Sequence, residues 1–310
     1  MQAPIRIEVY MSAQERFRSL SALPLVTIGG RTGSLGGTFA SIREIFHHRE
    51  MLALLVRRDI KSRYKDSALG LIWTLVRPIT QLLIYYIVIG KFLNAAAGIP
   101  DFAIYVFTGL AAYGLFSEIV GGATASIVGN AGLIKKIYIP REVFPLASVG
   151  SALFNFCFQL AILLVATIAL NRVPLSWELL YFFPSLMVLV VFGTALGFLL
   201  SAANVYLRDI QYLVEVLLLI MLWASPIVYS WSMAKDVLGD TILLDIYSNN
   251  PVTLAVLGFQ RAFWISGHES AEYPDQLLLR LVIAFVIGLV MLVGFQRVFT
   301  KLQGNFAQAL

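Results

Sequence analysis

The sequence predicts an all-α membrane protein with six transmembrane helices and both termini in the cytoplasm. Three observations support this fold class. Hydrophobic residues make up 59% of the 310 residues and charged residues only 13%, whereas a soluble domain carries about 25% charged residues. The apolar residues gather in runs close to the ~20 residues that cross a bilayer. Finally, the basic residues are concentrated in alternate loops.

The apolar runs divide the chain into segments. A mixed, glycine-containing stretch at residues 1–45 predicts a cytosolic N-terminal extension, and no small-residue cleavage site follows its short apolar run, so a cleaved signal peptide is not expected. Residues 46–68 predict an amphipathic helix at the membrane interface, and residues 69–303 a six-helix membrane domain. The predicted spans are 69–93, 103–128, 143–170, 180–203, 210–229 and 277–299.

The orientation follows from the loops between these spans. Loops on one side carry most of the basic residues, which the positive-inside rule places in the cytoplasm. The opposite side contains a longer outer segment, 230–276, with six acidic residues and few basic ones. The basic residues of the cytosolic side are Arg49, Arg57, Arg58, Lys61, Arg63, Lys65, Lys135, Lys136, Arg141, Arg208, Arg297 and Lys301.

No catalytic or nucleotide-binding signature is present. The glycines between Gly29 and Gly37 are not followed by Gly-Lys-Ser/Thr, and GSLGG is not the ATPase signature LSGGQ. The three histidines, His47, His48 and His268, lie outside the predicted spans. We therefore expect no catalytic residue, metal or cofactor in this chain. The net charge of +5 belongs to membrane-flanking loops, so no nucleic-acid partner is expected.

The segment 47–66 is basic on one helical face and apolar on the other. Such a helix is suited to lie at the membrane surface. The alternative is an ordinary solvated helix, but a span follows immediately, which favours the interfacial position. The apolar residues are Leu52, Leu55, Val56 and Ile60, and the basic ones Arg57, Arg58, Lys61 and Lys65.

Three ionisable residues, Arg77, Glu118 and Glu215, lie well inside predicted spans and away from their edges. Arg77, next to Pro78, lies about two helical turns inside the first span, where it either contacts a phosphate-bearing ligand or extends to the interface. Glu118 and Glu215 either pair with another group inside the bundle, line a pathway, or are buried with an uncharged, protonated carboxyl group.

Loop 129–142 combines apolar and basic residues in the pattern of a short amphipathic helix ended by proline. It could dock a partner through an apolar anchor with a basic rim, or simply anchor the protein by its positive charge. Its residues are Leu133, Ile134, Lys135, Lys136, Ile137, Tyr138, Pro140 and Arg141.

Aromatic residues cluster toward the outer half of several spans. Most such residues belong to the interfacial belt or pack in the core, but a minority could line a conduit in which rings stack on sugars. The candidates are Tyr85, Tyr86, Phe92, Tyr105, Tyr113, Phe116 and Trp223.

Four stretches together resemble the permease subunits of type-two ABC exporters for O-antigen, capsule and teichoic acid. The sequence LLVRRDIKSRYKDSALGLIWTLVRPI at 54–79 resembles the opening of those permeases, and NAGLIKKIYIPREVFPL at 130–146 resembles their coupling helix. NVYLRDI at 204–210, with SPIVY at 225–229, is the third, and Asn250-Pro251 with Arg261 the fourth. The long N-terminal extension and the charged Arg77 depart from the family pattern.

The resemblance implies a homodimer with a channel between the copies, two separate ATP-binding cassette subunits on the cytosolic face, and ATP and magnesium bound only by those subunits. It implies that loop 129–142 couples to the ATPase and that short re-entrant helices lie in 230–276. It also implies that helix 46–68 is a gate, the aromatic residues guide a glycan, and membrane lipids surround the dimer. The basic residues that would meet the diphosphate of a polyprenyl carrier are Arg57, Arg58, Lys61, Arg63, Lys65 and Arg77.

Three functions stay open on the sequence. The first is export of lipid-linked polysaccharide across the inner membrane. The second is export of a small amphiphile, such as a drug or lipid, by the same architecture. The third, a membrane-embedded glycan enzyme, would need a catalytic carboxylate or base in an outer loop.

Overall fold

The computed structural model describes residues 47–64, 72–92, 98–136, 139–239, 241–268 and 271–310. The predicted extension 1–45 lies outside these residues. All regular structure within them is helical, in agreement with the predicted class. The helices are α1 (Arg49–Tyr64), α2 (Ile72–Ile84, followed by the π-helix Tyr85–Phe92), α3 (Phe102–Gly129), α4 (Ala131–Ile134), α5 (Val143–Ala169), α6 (Phe182–Tyr206, preceded by the 3-10 helix Trp177–Tyr181), α7 (Ile210–Trp223), α8 (Trp231–Leu238), α9 (Ile242–Ser248), α10 (Pro251–Phe263), α11 (Leu277–Leu302) and α12 (Phe306–Ala309).

Four of the helical segments in the described part of the chain are long and apolar enough to cross a membrane. They correspond to the second, third, fourth and sixth predicted spans. A fifth candidate is the pair α9 and α10, which is bent by 64° and is either a broken span or a re-entrant loop. The four segments are Phe102–Gly129, Val143–Ala169, Trp177–Tyr206 and Leu277–Asn305.

Within the described residues, the predicted first and fifth spans contain the shorter apolar helices Pro78–Phe92 and Ile210–Trp223, while residues 69–71 and 93 of the first span lie outside the described part. The first is divided between α2 and the π-helix that follows it. The fifth, α7, ends at Trp223, since Ser225-Pro226 turns the chain where the apolar run suggested helix up to residue 229. Both are apolar helices of less than full spanning length.

The centre of the bundle is α3, which packs against α5, α6 and α10, while α11 covers the other side of α6. Small residues bring these helices close together, as in other membrane helix pairs. A Cβ atom on Gly197 of α6 would lie 2.6 Å from the Cβ of Ala123 on α3. A Cβ on Gly258 of α10 would overlap the Oγ of Ser185 on α6.

Helix α10 lies in the core although its sequence lies within the predicted outer segment. Eleven of its residues are buried. Asn250 caps its start, where its Oδ1 accepts a hydrogen bond from the backbone N–H of Val252 at 3.0 Å, and Pro251 occupies the first turn, where no N–H is needed. The Asn-Pro pair therefore starts a buried helix.

Buried apolar side chains form two separate clusters. The larger contains most of α3 and α10, with the adjoining halves of α5, α6 and α11. The smaller lies at the end of the bundle that carries α4, the predicted cytosolic end, and is built around Phe144, Phe198, Phe299 and Phe306. It also receives Leu55, which attaches α1 to the bundle.

Candidate functional site

The first candidate site is a cavity of about 600 Å³ beside α1. Helix α1 packs against α5, and the cavity lies where the apolar and basic faces of α1 meet. Its lining combines three basic residues with apolar side chains. The basic residues are Arg49 and the predicted gate residues Arg57 and Lys61. The whole lining is Arg49, Leu52, Ala53, Val56, Arg57, Ile60, Lys61 and Phe154. Such a site can hold an apolar chain below an anionic group.

Arg58 has a different environment from Arg57. Its Nη2 lies 2.7 Å from Oδ1 of Asp59 and 2.8 Å from Oδ1 of Asn130. Asn130 is the residue that separates α3 from α4, so this hydrogen bond joins α1 to the start of the predicted coupling loop. The side chain of Arg58 remains 46% exposed.

Three of the predicted gate side chains, those of Arg63, Lys65 and Arg77, lie outside the described part of the structure. Sequence reasoning missed three lining residues of the cavity, Arg49, Ala53 and Phe154. Arg49 could have been found, because it precedes Arg57 by eight positions and Lys61 by twelve, which places all three on one side of a helix. Phe154 comes from α5, a distance of about 100 positions along the chain, and no local pattern indicates it.

The predicted coupling loop contains α4 and the turn after it. Ile134 is buried and Leu133 half-buried, whereas Lys135 and Lys136 are exposed. Pro140 is buried, and Arg141 is partly exposed with its guanidinium 5.8 Å from the ring centre of Phe306. Ile134 is thus packed inside this protein, and Lys135 and Lys136 leave a basic surface beside it; docking of a partner at this loop stays a prediction. Residues Ile137 and Tyr138 lie outside the described residues.

The predicted aromatic conduit residues separate into two groups. Tyr105, Tyr113 and Phe116 are buried in the core of α3, and the hydroxyl of Tyr105 donates to the backbone oxygens of Pro226 (2.9 Å) and Tyr229 (2.7 Å). The hydroxyl of Tyr113 donates to the backbone oxygen of Leu218. Within this protomer these three rings therefore pack against protein.

The second group lies on or near the surface of α2 and α7. Trp223 is half exposed and Phe92 largely exposed, while Tyr85 and Tyr86 are half-buried. The ring centre of Tyr85 lies 6.4 Å from that of Trp223. We refer to the adjacent rings of Tyr85 and Trp223, with exposed Phe92 on the same π-helix as Tyr85, as the aromatic surface.

The carboxylates inside the predicted spans are also in two different environments. Glu118 accepts a hydrogen bond from Nδ2 of Asn155 at 2.5 Å, which joins α3 to α5. Glu215 is exposed on α7, one turn after Gln211 and Tyr212, which are exposed as well. A carboxylate on an apolar helix requires water or a protein partner.

A second, polar cavity of about 350 Å³ lies at the opposite end of the bundle from α4. Arg261 donates two hydrogen bonds to Glu178 there, at 2.9 and 3.1 Å, and burial raises the pKa of the neighbouring Tyr273. Because Glu178 is bound through both oxygens, it is not placed as the free acid or base that glycan hydrolysis needs. The lining is Glu178, Arg261, His268, Ala271, Tyr273, Pro274, Asp275 and Gln276.

The long apolar helices define a multi-pass helical membrane protein. Residues 50–264 match the profile of the family described as ABC-2 type transporter. The chain belongs to this family. Membership implies that it works with an ATP-binding cassette subunit.

Three relatives illustrate the similarity. The chain is 29% identical to the O-antigen export system permease protein RfbA of Myxococcus xanthus over 269 residues, which cover 87% of this chain and 98% of the relative. It is 27% identical to the protein of the same name from Klebsiella pneumoniae over 263 residues, 84% and 95% of the two chains. The polysialic acid transport protein KpsM of Escherichia coli is 21% identical over 179 residues, 56% of this chain and 68% of the relative.

Proposed function

We propose that this chain is the membrane-spanning subunit of an ATP-driven exporter that moves polyprenyl-diphosphate-linked polysaccharide, of the O-antigen or capsule type, across the inner membrane. The observation that carries the proposal is the similarity over nearly the whole length of relatives that are named as O-antigen export permeases. The chain itself is a non-catalytic permease, and a separate chain hydrolyses ATP.

In this proposal the protomer crosses the membrane six times, with α2 and α7 as the first and fifth spans and both termini in the cytoplasm. The short α2 and α7 are then completed by the turns and the π-helix at their outer ends. The bent pair α9 and α10 is a re-entrant element on the outer side, which its 64° bend and the burial of α10 support.

Two copies of the chain and two ATPase subunits form the proposed exporter, with the conduit between the two permeases. Exposed Glu215 and the aromatic surface of Tyr85, Phe92 and Trp223 support α2 and α7 as the walls of this conduit. A carboxylate in such a wall faces water, and exposed rings can stack on passing sugars. The buried rings of α3 would then support the wall from behind.

The cavity beside α1 is the proposed entry site for the lipid carrier. Its apolar floor suits a polyprenyl chain, and its three basic residues suit a diphosphate. The bond from Arg58 to Asn130 would transmit movement of α1 to the coupling loop. Exposed Lys135 and Lys136, supported by buried Ile134, would meet an acidic surface on the ATPase.

The proposal is tested by measuring ATP hydrolysis by the purified permease–ATPase complex in lipid nanodiscs. The added probes are polyprenyl diphosphate linked to the host's polysaccharide, polyprenyl diphosphate alone, and a small cationic amphiphile. We expect stimulation by the first probe well above that by the second. Stimulation by the amphiphile alone would instead establish the small-amphiphile exporter, and glycan turnover by the permease without its ATPase would establish an enzyme.

A further inference from the structure

The last eight residues of the chain, 303–310, are folded back against the bundle. Phe306 is completely buried, with its ring centre 5.5 Å from that of Phe299 and 6.1 Å from that of Tyr206. The hydroxyl of Tyr206 also donates to the backbone oxygen of Leu302 at 3.0 Å. Burial of a large aromatic side chain fixes this segment to the bundle.

The same terminal residues contact the end of the predicted coupling loop. The guanidinium of Arg141 lies 5.8 Å from the ring centre of Phe306, within the range of a cation–π contact. The Nε2 of Gln303 donates to Oε1 of Glu142 at 3.2 Å, and the Oγ1 of Thr300 donates to the same oxygen at 3.2 Å. Glu142 is only 4% exposed, so its carboxylate depends on these protein donors.

Apolar contacts also connect the coupling loop to the C-terminal residues. Ile134, at the end of α4, and Ile139, after the turn, belong to the same buried cluster as Phe306. Both ends of the loop are therefore tied to this cluster, while Lys135 and Lys136 between them are exposed. Between Lys135 and Val143 the described residues form no helix or strand, so packing against this cluster is the main constraint on that part of the loop.

We propose that residues 303–310 act as a C-terminal brace that holds the coupling loop in position for the ATPase subunit and carries its displacement to α6 and α11. This inference rests on the proposed coupling role of the loop. A loop can pass force to a helix bundle only if its base is rigid, because a soft base would absorb the movement locally. Phe306 is the central positioning residue, since it contacts Arg141, α6 and α11 at once.

The brace is tested with Phe306→Ala in the full permease–ATPase complex. Gln308→Ala is the matched control, because Gln308 lies in the same terminal helix and is exposed. Hydrogen–deuterium exchange is measured for peptides that cover 131–142 and, as an internal reference, for peptides of α3. We expect exchange in 131–142 to become about tenfold faster with Phe306→Ala, with α3 unchanged. Gln308→Ala should behave as the unmodified chain.

Transport is measured on the same variants as surface polysaccharide per assembled complex. Phe306→Ala should lower it about fivefold or more while ATP hydrolysis continues, because the loop no longer moves the bundle. If Phe306→Ala does not accumulate in the membrane, Phe306→Leu replaces it and should accelerate exchange about threefold. Unchanged exchange in 131–142, or full export per complex despite faster exchange, would overturn the brace.

Exchange needs no glycan, so its result is independent of the substrate. If the unmodified complex exports no polysaccharide, the proposed function fails. In that case the acceleration of exchange in 131–142 still supports the brace, and its absence still rejects it.

Discussion

Arg261 of α10 and Glu178 are bound to each other through two parallel hydrogen bonds, although 83 positions separate them in the sequence. The guanidinium also lies between two aromatic rings, 4.5 Å from the ring centre of Tyr181 and 5.4 Å from that of Tyr273. The ion pair joins the buried α10 to the 3-10 helix that precedes α6. Because both side chains are about 30% exposed, the pair is more than a surface contact but is not fully desolvated.

Breaking this pair should destabilise the protein more than breaking an exposed pair. We expect Glu178→Gln to lower the midpoint of thermal unfolding in detergent by about 2–5 °C, as expected for the loss of a bidentate charged contact worth about 1–3 kcal/mol. Glu272→Gln is the control, since its partner Lys235 lies 3.4 Å away and both side chains are largely exposed. That change should shift the midpoint by less than about 1 °C. Equal shifts would contradict the structural role of the Arg261 pair.

Close packing of α10 on α6 gives a second prediction. Gly258→Ala should reduce stability by about 1–3 kcal/mol, because the new methyl group would overlap the hydroxyl oxygen of Ser185. Adding Ser185→Ala should restore part of this loss. The comparison is made by chemical unfolding of the single and double variants.

Gly294→Ala serves as the control for that experiment. Gly294 lies in α11 and is exposed, and a methyl group added to its Cα would have no neighbouring atom within 4 Å. Alanine is preferred to glycine within helices, so we expect stability to be unchanged or to rise by up to about 1 kcal/mol. Destabilisation as large as that of Gly258→Ala would indicate that α11 is packed more closely than the structure has it.

The sequence predicts the bounds of the long helices well, because a continuous apolar run by itself indicates a membrane-spanning helix. The predicted span 143–170 and the helix Val143–Ala169 differ by one residue, and the start of 277–299 coincides with that of α11. The predicted fifth span, 210–229, extends too far because the chain turns at Ser225-Pro226, within the apolar run. The burial of α10 could not be predicted, since Gln260 and Arg261 make its sequence resemble an interfacial helix.

Features of the candidate site that lie on a single helix could be predicted from the sequence. Contacts between different helices could not. The basic face of α1 follows from helical spacing alone. The contacts of Arg58 with Asn130, and of Arg141 with Phe306, join segments 72 and 165 positions apart. Only the folded chain reveals such pairs. Likewise, burial of Tyr105 and exposure of Trp223 depend on helix orientation, which an aromatic cluster in the sequence does not determine.

The cavity beside α1 gives a third prediction. Arg57→Gln should lower surface polysaccharide about tenfold or more, since one charge-assisted contact to a diphosphate would be lost. The amount of ATPase bound to the permease should not change. Ser62→Asp alters the charge of the same helix by the same amount outside the cavity lining, so it should leave export close to normal. Normal export with Arg57→Gln would reject the entry site.

The coupling loop gives a fourth prediction. Lys136→Glu should weaken ATPase binding about tenfold, because it reverses the charge of an exposed residue on the proposed docking surface. Binding of the unmodified subunits should also fall with increasing salt. Lys235→Glu, at the opposite end of the bundle, is the control and should leave binding unchanged. Equal binding by both variants would place the ATPase contact elsewhere.

The division of the buried side chains into two clusters has a consequence for how such proteins diversify. Among the described residues, only the continuous helices α3, α5, α6 and α11 contribute to both clusters, whereas α1, α4 and α12 belong to the smaller one and α10 to the larger. Substitutions that adapt one end to a new partner therefore need few compensating changes at the other. Chimeras joined within α3, α5, α6 and α11, between the two clusters, are accordingly the most economical way to exchange one end between relatives.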